Sequence, residues 1–123
     1  MSESDSPLLA WLGQQVTVIV DRPLGSHHPR HPDLVYPVNY GYLPRTMAPD
    51  GDPIDAYIIG VATPVSSMTG DVVAVVVRLD DVEDKLVVAP TDRRCSLTQI
   101  RHDLRFQEQY FDSEIVVAPS RIA

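Results

Sequence analysis

Apolar residues gather in five short stretches, each bounded by turn formers. Val16-Thr-Val-Ile-Val20 alternates and stops at Asp21-Arg-Pro23, and Val38-Asn-Tyr-Gly-Tyr-Leu43 follows a proline-rich loop and closes at Pro44. Ala56-Tyr-Ile-Ile-Gly-Val61 comes after an Asp/Gly/Pro turn, and Lys85-Leu-Val-Val-Ala89 ends at Pro90. Between them, Asp71 to Leu79 carries Val-Val-Ala-Val-Val-Val, apolar on both sides as a central or interfacial strand is. Runs of β-branched and aromatic residues of this length predict strands. No helical crossover separates them, which favours a small antiparallel barrel over a parallel sheet. The helical period occurs late, in Leu97, Ile100, Leu104 and Phe111, with Ser96 and Gln99 as a capping box and Arg101, Arg105, Gln107 and Glu108 on the other face. Ser113 to Ala118 reads as a final extended segment that packs on the barrel or on another subunit. The expected fold is mainly β with α: a five-stranded OB-like antiparallel barrel with a C-terminal helix across it.

A chain of 123 residues is one domain by length. We expect residues 8–123 to form it, behind a polar, disordered tail from Met1 to Pro7. The net charge of −7 argues against nucleic acid, which is met by a basic stripe. No apolar run approaches the ~20 residues that span a bilayer, so no membrane partner is expected. The single cysteine, Cys95, excludes a disulfide framework and a four-cysteine zinc site and reads as structural. With no positively charged leader, it points to a reducing, cytoplasmic setting. The doubly apolar Val72 to Val77 leaves surface to cover, which suggests a homo-oligomer.

Candidate chemistry centres on Asp50-Gly-Asp-Pro-Ile-Asp55. Gly51 permits a tight turn, Pro53 stiffens it and Ile54 points to the core, leaving Asp52 and Asp55 together on the outer side. Clustered carboxylates raise one another's cost of ionising unless solvent or a cation relieves them. Hard oxygen ligands at this density suit Mg²⁺ or Mn²⁺. The alternative is a solvated Asx turn, while the ligand spacing does not fit an EF-hand loop. A second acidic run, Asp80-Asp-Val-Glu-Asp84 before Lys85, lies in the turn between the last two strands, where it can open at the same end of the barrel. Taken alone it is a polar hairpin turn. Tyr36-Pro-Val-Asn-Tyr-Gly-Tyr42 adds phenols that can donate to phosphoryl oxygens without adding charge. Pro23, Pro29, Pro32 and Pro37 hold the intervening loop in a path that refuses helix.

The Tyr36–Tyr42 segment followed by Asp50–Asp55 resembles the family I soluble inorganic pyrophosphatases. The likeness extends to Leu79–Pro90, an acidic loop and its following strand, and to Phe106-Gln-Glu-Gln-Tyr110 on the helix. It implies that Asp50, Asp55 and Glu83 ligate a first metal ion, with Asp55 bridging to a second. Asp80 and Asp81 would hold further ions, and Asp21 stands where the family has a metal-site glutamate. Asp52 would act as general base. Tyr36, Tyr40, Lys85 and Tyr110 would line the phosphoryl pocket, with Tyr40 counted among the catalytic groups. The implied cofactor is Mg²⁺, or Mn²⁺, with two or more ions per site. The implied partner is pyrophosphate or a similar small phosphate compound.

Two departures bear on substrate. A strand and hairpin that bring a lysine, a glutamate and an arginine in typical members are replaced by Gly25-Ser-His-His-Pro-Arg-His-Pro-Asp33, and the lysine expected after the helix tyrosine is Phe111. Arg30 and His28, with His27 and His31, are the candidates to supply the missing phosphate contacts. A transition-metal site at His27 and His31 and a plain solvated loop are the alternatives. The leading expectation is Mg²⁺-dependent hydrolysis of inorganic pyrophosphate. The others are a metal-dependent hydrolase of another phosphoanhydride or phosphoester, such as a nucleotide, and a silent phosphate- or metal-binding module.

Overall fold

The computed structural model describes residues 6–81, 83–91 and 95–118. The expected strands appear as β1 (Gln15–Arg22), β2 (Asn39–Tyr42), β3 (Asp55–Ile58), β4 (Ser67–Arg78) and β5 (Lys85–Ala89). They are followed by α1 (Leu97–Glu108) and β6 (Ser113–Val117). The sheet runs β1-β2-β3-β5-β4, and β4 returns to pair with β1, closing the five-stranded barrel. One pairing departs from the antiparallel expectation: β3 and β5 run parallel, because β5 slots between β3 and the long β4. The final segment, β6, pairs with the outer half of β4 in the same chain.

Period-2 alternation sorts the side chains into two apolar layers. Val16, Val18, Ile54, Ala56, Ile58, Val72, Val75, Leu86 and Val88 fill the barrel, joined by Leu8. Tyr36, Tyr40, Tyr57, Val73, Val76, Val87, Ile100 and Leu104 form the second layer, between the outer face of the sheet and α1. A bulge between Val72 and Ala74 lets β4 serve both layers, since Val73 and Ala74 fall on the same outer side. Both faces of Val72–Val77 are thus covered within one chain, each residue at most 5% exposed. The argument from this strand to a homo-oligomer is thereby removed.

Gly41 is demanded by the barrel's curvature, since a Cβ there would stand 1.8 Å from the Ile19 carbonyl oxygen. Ser96 caps α1 by accepting the Gln99 N–H at 3.1 Å, but the Gln99 side chain bonds Asp103, so only half of the capping box forms. Gln107 and Glu108, assigned above to the solvent face, are buried at 9% and 7% exposure. Their side chains are fully engaged with polar groups of the sheet, described below. The tail expectation is shortened at its end: Ser6 caps a 3-10 helix, Pro7–Trp11, whose Leu8 is buried. Met1 to Asp5 lie outside the described residues. No helix among the described residues is long and apolar enough to cross a membrane.

Gly41→Ala is expected to lower the unfolding free energy by about 1–3 kcal/mol through overpacking. Urea denaturation reads this directly, and an unchanged midpoint would contradict the close approach.

Candidate active site on the outer face of the barrel

Strand register decides which polar side chains meet. Tyr40 pairs with Tyr57 across β2–β3, and Arg22 pairs with Tyr40 across β1–β2, so all three stand on the outer face. Asp55, opposite Tyr42, opens β3 on that face, and Lys85 opens β5. The Lys85 side chain is 3% exposed, and its ammonium donates to Tyr40 Oη (2.8 Å), Asp55 Oδ2 (2.9 Å) and Glu83 Oε1 (3.2 Å). Burying an ammonium is costly unless such partners satisfy it. Two loops distant in sequence therefore converge on one cation. Burial, and then the Asp55 carboxylate beside it, push the Tyr40 phenol well above its ordinary range.

The other candidates are placed as follows. Asp21, next to last in β1, lies close enough to Asp55 to feel its charge; partial burial, with that repulsion added, holds its carboxyl above the usual value despite Arg22. Asp50 Oδ1 accepts the Asp52 N–H at 3.1 Å, the Asx turn weighed above, and both residues are exposed. Asp80 accepts the Asp112 N–H, and Asp81 lies 3.6 Å from Arg78. Tyr110, just past α1, is 70% exposed. The proline-rich loop folds back on itself through a bridge between His27 and Val35, which sets His28 parallel to the Tyr36 ring with centroids 6.2 Å apart. His28 Nδ1 accepts the Arg30 N–H, leaving Nε2 as the donor. Burial, then Arg22, His31 and Arg30, lower the His28 pKa, so it offers an N–H and not a charge at neutral pH. Arg30 is exposed beside it.

A buried network absent from the expectations lies beneath this cluster. Arg78 donates to both Glu108 oxygens, at 3.2 and 2.6 Å, and its guanidinium lies 3.6 Å from the Phe111 ring centroid. Tyr57 Oη donates to Glu108 (2.6 Å) and accepts from Gln107 Nε2 (2.7 Å), while Tyr36 Oη donates to Gln107 Oε1 (3.1 Å). Arg22 donates in turn to Tyr36 Oη. This chain of bonds fastens the last turn of α1 to β1, β3 and β4. Its sequence signal was Gln107 recurring in phase with Ile100, Leu104 and Phe111, on the apolar side of the helix.

Divalent-ion chemistry is tested by the donor set. Asp55 and Glu83 are hard oxygen donors already aimed at a single cation, which suits Mg²⁺. Among the described residues no group of three or more His, Cys, Asp or Glu stands close enough to hold a metal ion. The Asp50–Asp52 turn, closed on itself, and the Asp80–Asp81 pair, held by Asp112 and Arg78, are not drawn in. The donors fit the ion in chemistry, with two of the six expected carboxylates converged.

The fold and cluster define a small OB-barrel protein with a carboxylate–ammonium–phenol site on its outer sheet face. The inorganic pyrophosphatase family model matches residues 15–114, and the chain belongs to that family. The inorganic pyrophosphatase of Helicobacter pylori is 36% identical over 62 residues, covering 47% of this chain and 36% of the relative. Inorganic pyrophosphatase 1 of Pseudomonas syringae pv. tomato is 33% identical over 76 residues, covering 58% and 42%. These matches span well under half the length of the curated relatives. The crystal structure of an inorganic pyrophosphatase from Ehrlichia chaffeensis shares the fold at a TM-score of 0.67 and 20% identity, covering 89% of this chain and 90% of that one. The enzyme from Thermus thermophilus does so at 0.58 and 18%, covering 88% and 85%.

Burial, with the Glu108 charge beside it, raises the Tyr57 pKa well above 10. The folded state therefore holds this proton more tightly than the unfolded chain, so its stabilising contribution is full below about pH 10 and lost as pH rises further. Tyr57→Phe should flatten that alkaline loss and cost about 1–3 kcal/mol at neutral pH by leaving Glu108 and Gln107 short of a partner. Denaturation midpoints measured from pH 7 to 11 check both; an unchanged alkaline slope would contradict the coupling.

Proposed function

We propose that the protein is a phosphoanhydride hydrolase that cleaves inorganic pyrophosphate to two phosphates with Mg²⁺ or Mn²⁺. The observation that carries this reading is the convergence of Asp55 and Glu83 on one cation position beside Tyr40. Family membership and the names of its relatives support it. Asp55 and Glu83 would hold the ion, joined by Asp50 from its exposed turn and, as further ions arrive, by Asp80, Asp81 and Asp21. Bound there, the ion supplies charge neutralisation at the phosphoryl oxygens and makes water a better proton donor.

The chain's own residues then position and neutralise. Lys85, freed from part of its carboxylate contact, turns its ammonium to a phosphoryl oxygen. Tyr40, kept protonated by burial, donates its hydroxyl to the same group. Asp52, exposed on the turn, takes the proton of the attacking water as general base. His28 and Arg30 would contribute from the loop side, with His28 donating from Nε2, while Tyr36, expected in the phosphoryl pocket, is wholly buried behind them with its hydroxyl bonded to Gln107 and Arg22. Tyr110, exposed just past the helix, is the remaining candidate for substrate contact.

Purified protein should release phosphate from pyrophosphate only with a divalent cation, and Asp52→Asn and Asp55→Asn should each lower turnover by at least about 100-fold. No release with either Mg²⁺ or Mn²⁺ would overturn the assignment. Faster cleavage of a nucleotide or phosphoester would move the substrate and keep the site.

A further inference from the structure

Each barrel strand has neighbours on both sides, whereas β6 pairs with β4 alone. The hydrogen bonds at the two ends of that ladder fix which backbone groups it uses. The Ala118 N–H donates to the Val73 carbonyl at 2.9 Å, and the Asp112 carbonyl accepts the Leu79 N–H at 2.7 Å. In an antiparallel pair such bonded positions alternate with positions whose N–H and C=O turn the other way. Glu114 and Val116 are therefore bonded to β4, and the backbone groups of Ser113, Ile115 and Val117 point away from it. Among the described residues no partner meets those three positions. An open edge of this kind is a template for a further strand.

The surroundings of the edge select what pairs with it. A groove of about 310 Å³ runs beside β6, lined by Ser113 and Ile115 and, from α1, by Arg101, Leu104 and Arg105. Both arginines are exposed, one helical turn apart, and among the described residues neither makes an ion pair. Glu108 also lines the groove, but Arg78 already matches its charge. In a chain of net charge −7 this is a local excess of positive charge. Ile115 and Val117 face the α1 layer, while Val116 faces the barrel. A strand added to the edge alternates in the same way. Its residues opposite Ser113, Ile115 and Val117 fall on the side of the arginines, and those between them fall on the side of Val116.

The geometry points to the open edge of β6 as a docking site for an extended acidic peptide segment of another protein. The segment adds a seventh strand to the six-stranded sheet and exchanges backbone hydrogen bonds with Ser113, Ile115 and Val117. Its carboxylates, at alternate positions, turn to Arg101 and Arg105, and apolar residues between them cover Val116. Backbone pairing supplies affinity for any extended segment, and the two arginines select acidic side chains over basic ones. None of these residues belongs to the expected metal or substrate set, so the inference stands independently of the hydrolase reading.

The test uses the whole chain and two short fluorescent peptides, one alternating glutamate and valine, the other lysine and valine. Fluorescence anisotropy should show the glutamate peptide binding at least about tenfold more tightly than the lysine peptide. Replacing both exposed arginines, Arg101→Ala with Arg105→Ala, should weaken the glutamate peptide by about threefold to thirtyfold, the loss of two exposed ion pairs. Amide hydrogen exchange followed by NMR should find the Ser113, Ile115 and Val117 N–H groups fast in the free protein and slowed by the peptide. Ile115→Pro removes an outward N–H and no bond to β4, so it should abolish binding while β6 stays in place. No binding of the glutamate peptide, equal binding of the two peptides, or full affinity in the double arginine variant each overturns the inference. Slow exchange of the three amides in the free protein also overturns it. Protection that fades on dilution then assigns the edge to a second copy, and protection that persists assigns it to a segment of the same chain. Should Ile115→Pro not fold, the arginine variant decides, since its changes lie on the exposed side of α1.

Discussion

The site depends on one buried ammonium. Lys85 opens β5 on the outer face, where solvent cannot compensate its charge, and only three oxygen partners make its burial tolerable. Those partners come from β2, β3 and the loop before β5, so satisfying a single cation draws three parts of the chain together. A buried charge of this kind is weak evidence for stability, since desolvation offsets much of the Coulomb gain. Its consequence is positional: Asp55 and Glu83 are held converged, and a small divalent ion would meet the same two oxygens.

The barrel explains why these groups share one surface. Alternation sends Ala56, Ile58, Leu86 and Val88 inward and leaves Asp55, Tyr57, Lys85 and Val87 outside. Helix α1 seals the middle of that outer face with Ile100 and Leu104, and its last turn carries Gln107 and Glu108 into the polar network of Tyr36, Tyr57 and Arg78. The protein thus keeps an apolar seal and a polar rim on the same sheet, and the candidate site sits at the rim. Charge is balanced locally: Arg78 answers Glu108, Lys85 answers Asp55 and Glu83.

Much of this was legible in the chain. Strand positions followed from β-branched runs between turn formers, and barrel closure from the absence of crossovers. The Tyr36–Tyr42 and Asp50–Asp55 segments carried the family. Three features were not legible, each because it depends on register or on tertiary pairing. The bulge after Val20 decides the side that Arg22 faces, and no residue type announces it. Covering of Val72–Val77 by β6 and α1 needed the fold, so an apolar strand read as a subunit contact is an internal one. Burial of Glu108 against Arg78 also needed the fold, because polarity suggests exposure until a buried arginine is found to match it; Gln107 alone carried a signal, its phase with Ile100 and Leu104.

The direct test of the account is whether Asp55 and Glu83 form one cation seat. Mn²⁺ binding to the whole protein, followed by electron paramagnetic resonance, measures it without turnover. The account predicts bound Mn²⁺ in the wild-type protein and an affinity lowered by at least about tenfold in Glu83→Gln, the loss expected for one charged ligand. Undiminished Mn²⁺ affinity in Glu83→Gln, or none in the wild type, would contradict it.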